Sequence, residues 1–232
     1  MKKIFAFSFD DGTVQDEKLV SLLKKYRLCA TFNLNSAMFG TSYSFDMNGH
    51  HVVHTRLSEE RAVALYRDFE VAAHTRTHSC LKLLPPKDII EEVVPDYLRL
   101  SDLFRRSVRG LAYAWGGENY DRLAVETLKN YTSVRYARTA ADCNSLAFPD
   151  DFLAWNPSAH ILSERLPSLL DEFEQSQTDC LLLVWGHSFE LDFDDGWNRA
   201  ERVFARLAAV PGATNLTCAE ICDLFIGTRG DQ

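Results

Sequence analysis

The chain alternates short, fully apolar runs with longer segments in which apolar residues recur every three or four positions. The short runs have no polar face for water, which is typical of parallel strands covered on both sides by helices. Strands are therefore predicted at residues 4–9, 29–34, 70–73, 110–113, 133–137 and 180–185, with a weaker run at 213–216.

The longer segments have the periodicity of amphipathic helices. Two local signals support their ends: Pro85 and Pro86 suit the start of a helix, and Thr217 with Glu220 forms a capping-box pattern. Pro95 is expected to kink the helix that contains it. Helices are predicted at residues 17–26, 58–68, 88–104, 119–131, 166–174, 197–207 and 217–225.

Seven strand-helix units indicate an α/β fold with a parallel sheet. They favour a closed or nearly closed barrel over an open sheet, although the pattern separates these two poorly. Residues 36–56 interrupt the alternation of strands and helices with Gly, Ser, Asn and aromatic residues. We expect this segment to be an excursion over the barrel mouth, and a β-hairpin is one structure that it could form. No repeat or linker divides the chain, so a single domain over residues 1–232 is expected.

Net charge and hydropathy limit the classes of partner that the protein is expected to bind. The chain has 25 Lys plus Arg against 33 Asp plus Glu, a net charge of −8, which disfavours a nucleic-acid partner and suits a neutral substrate. No apolar run is long enough for a membrane span. The first apolar run ends at two aspartates and is too short for a secretory signal, so a cytoplasmic protein is expected. The oligomeric state is left open.

Polar side chains follow three of the predicted strands. Asp10 and Asp11 end the first strand, His74 and His78 follow the third, and His187 follows the sixth. The carboxyl ends of barrel strands meet at one face, where active sites of such folds lie. Histidines four residues apart can also reach one ion. These side chains are therefore expected to converge.

Two imidazoles and one carboxylate, with open coordination positions, are the ligand set of a catalytic zinc. A second, adjacent carboxylate would remain free to act as a general base. Each motif has a simpler explanation when taken alone, since Asp-Asp-Gly is a common turn and a histidine pair can cap a turn. Their joint occurrence at strand ends favours the metal site.

Four segments resemble, in order, the motifs of the polysaccharide deacetylase family. They are Ser-Phe-Asp-Asp-Gly at 8–12, His-Thr-Arg-Thr-His at 74–78, Leu-Ala-Tyr-Ala-Trp-Gly at 111–116 and Leu-Leu-Val-Trp-Gly-His at 182–187. The resemblance implies a distorted seven-stranded (β/α) barrel and one divalent metal, zinc or another ion such as cobalt. It also implies removal of acetyl groups from N-acetylated sugars.

The resemblance assigns a role to each motif residue. It makes Asp10 the general base and His187 the general acid, which protonates the leaving amine. The backbone N–H of Trp115 becomes a donor to the oxyanion. The metal ligands implied by the resemblance are Asp11, His74 and His78.

The third motif departs from the family pattern at two positions. Ala112 stands where many members have an arginine that pairs with the catalytic aspartate, and Ala114 stands where a proline is usual. Arg138, at the end of the fifth predicted strand, is a candidate replacement for that arginine and would then act with the catalytic residues. The alternative is an ordinary surface arginine. The resemblance does not mark the carboxylate that orients His187.

The sequence does not fix the roles of several other polar and aromatic residues. Asp142 and Glu190 both compete to orient the acid histidine. His160 is interpreted as structural or on the rim, and the four tryptophans, Trp115 among them, as core more often than as sugar platforms. A last group is expected to be exposed in the excursion or to contact substrate, without forming a second metal site: His50, His51 and His54.

Three functions fit these observations. The first is a metal-dependent deacetylase of an N-acetylated amino sugar. The second keeps the metal centre but acts on a small non-sugar amide or cyclic imide. The third is a catalytically weak carbohydrate-binding protein, which the loss of the third-motif arginine permits.

Overall fold

The computed structural model describes residues 2–229; Met1 and 230–232, the ends of the predicted domain, lie outside the described residues. The strands are β1 (Lys3–Asp10), β2 (Thr31–Leu34), β3 (Ser42–Met47), β4 (His50–Thr55), β5 (Glu70–Ala73), β6 (Gly110–Ala112), β7 (Tyr136–Arg138), β8 (Ala159–His160), β9 (Cys180–His187) and β10 (Ala213–Asn215). The helices are α1 (Asp16–Lys25), α2 (Glu59–Leu65), α3 (Pro86–Phe104), α4 (Arg122–Tyr131), α5 (Leu166–Gln175), α6 (Gly196–Ala208) and α7 (Cys218–Arg229).

Seven parallel strands form one curled sheet in the order β7-β6-β5-β2-β1-β9-β8, and β10 pairs with the start of β1. With helices around it, this sheet is a half-barrel, and the predicted fold class is confirmed. Trp155 links the two edge strands, because its backbone bonds to Ala137 and Thr139 of the β7 edge at 3.0 and 2.9 Å just before the chain enters β8.

The predicted strands all occur, but β8 escaped prediction because two residues are too short to form a pattern. The excursion is the antiparallel hairpin β3–β4. All seven predicted helices are present, and α3 runs through Pro95. The capping box at α7 forms, with Thr217 N donating to Glu220 at 2.8 Å. Within residues 2–229, no helix has both the length and the hydrophobicity for a membrane span.

Strand β1 sets the position of the site. All eight of its residues are buried. Side chains alternate between the two faces of a strand: Phe5, Phe7 and Phe9 pack into the larger core under the helices, while Ile4 and Ala6 join a second cluster on the other face. Ser8 and Asp10 continue this second face towards the carboxyl end of the strand. The period of two therefore directs the Asp10 carboxylate into the half-barrel.

Candidate active site

Asp10 is held by groups from two other strands. Asn33 of β2 donates to Asp10 Oδ1 at 2.7 Å. Arg138, at the end of β7, donates to the same oxygen through Nη2 and to Ser8 Oγ at 3.3 Å through Nε. Arg138 is 0% exposed, so its alternative interpretation as a surface arginine is wrong.

This environment keeps Asp10 ionised. Burial by itself would raise the pKa of the carboxyl group, but the charge of Arg138, followed by the nearby imidazoles of His74 and His187, outweighs burial and lowers the pKa below its ordinary value. His187 Nε2 lies 3.8 Å from Asp10 Oδ2, the oxygen that Arg138 leaves free. An ionised carboxylate with one free oxygen can accept a proton.

Asp11, His74 and His78 meet next to Asp10. One donor atom from each lies within 4.8 Å of the others. Two of these residues have left-handed backbones, with φ of 77° at Asp11 and 63° at His78. The following Gly12 is also left-handed, and a Cβ there would lie 2.7 Å from Leu34. The tight turn needs glycine at that position.

The three residues fit a divalent cation. His74 Nδ1 donates to Ala112 O at 2.9 Å, which leaves Nε2 as the ligand atom and fixes the ring as bound histidines are usually fixed. Burial lowers the pKa of His74 and lowers that of His78 to about 3, so both rings are neutral, as a ligand must be. One carboxylate oxygen and two imidazole nitrogens match the set that holds a catalytic zinc.

Helix α3 fixes the backbone at His74. Asp96, fully buried in that helix, accepts from the backbone N–H of Ser36 at 2.7 Å and of His74 at 3.1 Å. Burial raises the pKa of Asp96 to about 7 despite these bonds. The sequence carried a signal for this residue, a lone acid among the inward-facing positions of α3.

Glu190 orients the imidazole of His187. His187 Nδ1 donates to Glu190 Oε2 at 3.0 Å, within the turn of 3-10 helix Ser188–Asp192. Asp142, the other candidate carboxylate, instead accepts from Trp185 Nε1 at 2.7 Å. Burial would lower the pKa of His187, but the Glu190 carboxylate outweighs burial and raises the pKa to about 9. His187 is therefore protonated at neutral pH.

Trp115 lies on the rim, not in the core. Its side chain is 61% exposed, and its indole Nε1 donates to His78 O at 2.7 Å. The residue has φ of 72°, and within the described chain its backbone N–H has no hydrogen-bond partner. This N–H is available to a ligand. The core expectation for this tryptophan is wrong.

A cavity of about 600 Å³ joins these groups and has the size of a small-molecule site. Its floor carries Asp10, Asp11, His74, His78 and His187, and aromatic side chains form much of its wall. The carboxylates, the imidazoles and the Trp115 residue singled out in the sequence thus share one cavity.

A sequence profile described as Polysaccharide deacetylase matches residues 1–134, more than half of the chain. The chain belongs to the polysaccharide deacetylase family. No curated protein sequence matches this deacetylase-family chain. The solved structures described next are each less than 25% identical to this chain and support the fold alone.

Three solved structures illustrate this likeness. A family 4 acetyl xylan esterase from Clostridium thermocellum, in complex with a cobalt ion, has a TM-score of 0.61 at 13% identity, covering 97% of this chain and 92% of that one. A Streptococcus pyogenes deacetylase in complex with acetate has 0.53 at 17%, covering 65% and 62%. A polysaccharide deacetylase from Bacillus cereus has 0.50 at 21%, covering 64% and 44%. This chain therefore spans less than two thirds of the last two proteins.

His54 of the hairpin and Arg56 just after it both contact Asp11, and the sequence did not predict this contact for either residue. His54 is 1% exposed and lines the cavity, so solvent exposure is wrong for this residue and contact with substrate stays the remaining alternative. His54 Nε2 lies 3.0 Å from Asp11 Oδ2, and Arg56 Nη2 donates to Asp11 Oδ1 at 2.9 Å. Burial alone would raise the pKa of Asp11, but the bond to His54 and the charge of His187 outweigh burial, so this pKa lies well below its ordinary value.

We expect His54→Ala to weaken metal binding by about tenfold or more, because groups that orient a metal ligand contribute that much to affinity. The measurement is a competition titration of the purified chain with a chromophoric chelator. His51→Ala is the matched control, since the His51 side chain is 65% exposed and bonds to Asp46 of the same hairpin. Equal metal affinity in the two variants would show that His54 does not support Asp11.

His160 shares the carboxylate that orients the His187 imidazole. His160 Nε2 lies 2.8 Å from Glu190 Oε2, and His160 Nδ1 accepts from Leu162 N at 3.2 Å. His160 therefore contacts the site through Glu190 and does not itself line the cavity. A Cβ at Gly186 would lie 2.9 Å from His160 Nε2, so the close approach requires glycine there.

We expect Glu190→Gln to move the alkaline limb of the rate profile to lower pH. The acid form of His187 is lost as pH rises through its pKa, which the Glu190 charge raises to about 9. Without that charge the pKa falls, and activity declines at a lower pH. The measurement is kcat/KM against pH for both proteins. An unchanged alkaline limb would contradict the assignment of His187 as the acid.

Proposed function

We propose that the protein is a divalent-metal-dependent hydrolase that removes the acetyl group from the nitrogen of an amino sugar. One observation carries the proposal: Asp11, His74 and His78 bring three donor atoms within 4.8 Å of one another beside the arginine-bound Asp10. Family membership supports deacetylation as the reaction class.

Asp10 is placed to activate the attacking water. A bound zinc or cobalt ion would polarise the acyl carbonyl and lower the pKa of a water molecule. Arg138 and Asn33 occupy Asp10 Oδ1, so Oδ2 is the oxygen that accepts the proton. Because the carboxylate is ionised and fixed, it needs no rearrangement before the attack on the amide carbon.

Trp115 would stabilise the negative charge that develops on the carbonyl oxygen, and His187 would protonate the leaving amine. As the carbonyl oxygen becomes negative, the N–H of Trp115, which has no partner among residues 2–229, would donate to it. The amine leaves only when protonated, and His187, charged at neutral pH and held by Glu190, would supply that proton from Nε2. Base and acid then face the scissile bond from neighbouring strands, β1 and β9.

The test is acetate release from N-acetylglucosamine and its oligomers by protein loaded with zinc or cobalt. We expect turnover that a chelator abolishes and that added metal restores. Metal binding without acetate release from any sugar would contradict the proposal and leave a carbohydrate-binding role. Sugar binding would then be measured directly by calorimetry.

The aromatic wall favours one second candidate. Tyr43, Phe45 and Phe189 line the cavity and suit a small substrate with an apolar group. The same metal centre would then hydrolyse a non-sugar amide or cyclic imide. A panel of small amides in the same assay decides between them, because turnover of amides without turnover of sugars would replace the first proposal by this one.

A further inference from the structure

The hairpin β3–β4 starts beside β2 and is tied to the turn that follows β1. Leu57 N donates to Gly12 O, and Val14 N donates to Thr55 O, both at 2.9 Å. Thr13 and Arg56 form an antiparallel bridge between these segments. The base of the hairpin is thus joined to the strand end that carries the two aspartates.

The far end of the hairpin reaches the segment after β9. His50 Nε2 lies 3.1 Å from Asp194 Oδ2, and the His50 ring stacks on Phe193 with centroids 4.4 Å apart. Along the strands, Phe45 packs edge-on against Phe189 at 6.2 Å. Six-residue strands span about 20 Å, and here that length bridges two strand ends of the sheet.

This path closes one side of the cavity. Since β1 lies between β2 and β9, a hairpin that joins the loops after β2 and β9 passes across the end of β1. Tyr43, Phe45 and Phe189 line the cavity along it. On the other side of β2 lie β5 and then β6, and Trp115, in the loop after β6, is mostly exposed on the rim. A bound sugar chain can continue past Trp115 but meets the hairpin in the other direction.

We propose that the hairpin makes this site specific for a single N-acetylated sugar or for the terminal unit of a sugar chain, and excludes internal units of a polymer. The inference rests on the proposed deacetylase function and deepens it. A wall that is continuous from the end of β2 to the loop after β9 leaves one direction for the substrate, so the acetylated unit must be the last one.

The experiment uses the full chain with zinc or cobalt and a pentamer of N-acetylglucosamine. The products are sequenced by mass spectrometry to locate each free amine. We expect the amine at one terminal unit in at least about nine of ten singly deacetylated molecules. Deacetylation at internal units in comparable amounts would overturn the inference but leave the deacetylase function intact. Acetate release from no sugar would refute the deacetylase function itself.

Two hairpin variants probe the cause. Replacing residues 45–52 by Asn-Gly keeps the cross-strand pair of Ser44 with Val53, and the two added residues suit a tight hairpin turn. This variant should raise the share of internal deacetylation several-fold. His50→Ala, which cuts the contact with Asp194, should raise that share less, and His51→Ala should leave it unchanged. If the shortened variant folds and its share of internal deacetylation is unaltered, the inference is overturned. If the variant does not fold, the product pattern of the unmodified chain decides the question.

Discussion

Replacing Asp10 by asparagine is expected to lower kcat by about 1,000-fold, in the middle of the range of about 100- to 10,000-fold for the loss of a general base. Asparagine has the same shape and can keep a hydrogen bond near Arg138, but its amide cannot accept the proton of the attacking water. Metal binding should persist, because the three proposed ligands are unchanged.

The measurement is kcat for acetate release together with the metal content of the purified variant. Asp46→Asn is the matched control, since Asp46 is exposed on the hairpin and bonds to His51 there. Loss of metal in Asp10→Asn would place Asp10 among the ligands. Full activity in the variant would remove Asp10 from the reaction.

Replacing His74 by alanine is expected to weaken metal affinity by more than about 100-fold, because losing a ligand costs more than losing a group that merely orients one. His74 is buried, and its ring is fixed by the bond from Nδ1 to Ala112 O. The remaining pair, Asp11 and His78, offers too few donors for tight binding. Activity should fall in parallel and return only partly at high metal concentration.

His160→Ala is the control for that variant. His160, His187 and Glu190 form the second group of donor atoms within 4.8 Å among the described residues, so this group is the structural alternative for a metal. Metal content is measured in both variants after dialysis. If His74→Ala retains the metal and His160→Ala loses it, the metal site must be the cluster of His160, His187 and Glu190.

The placement of the motif residues could be predicted from the sequence, because each motif follows a predicted strand and all these strands run in the same direction. Asp10 ends an apolar strand and His74 follows another, and parallel strands deliver their carboxyl ends to one face. Adjacency also carried information. Asp10 lies two residues after Ser8 on the same face of β1 and points inward. Asp11 lies in the left-handed turn that follows.

The partners of these residues were harder to predict. The contact of Arg138 with Asp10 depends on how the sheet curls between β1 and β7, which no local pattern encodes. Glu190 lies only three residues after His187, but that spacing becomes a contact only within a turn of 3-10 helix. Asp142 was equally plausible until the structure placed it against Trp185.

The buried face of β4 could not be predicted from residue types, because His-His-Val-Val-His-Thr-Arg at 50–56 does not alternate apolar and polar residues. Along β4 and just beyond, Val52, His54 and Arg56 are buried, whereas His51 and Val53 are exposed. This is the alternation of a strand with one face covered. Once the strand is known, this alternation places His54 on the same buried face as Val52 and Arg56. It does not predict that this face meets Asp11, because the direction of a hairpin over a barrel mouth is set by tertiary contacts.

The most direct test is a crystal of the full chain grown with cobalt, with anomalous diffraction recorded at the cobalt edge. We expect one strong anomalous peak per chain, about 2.0–2.2 Å from an oxygen of Asp11 and from a ring nitrogen each of His74 and His78, the distances usual for such ligands. A peak between His160 and Glu190 instead, or no peak in a cobalt-saturated crystal, would contradict the account.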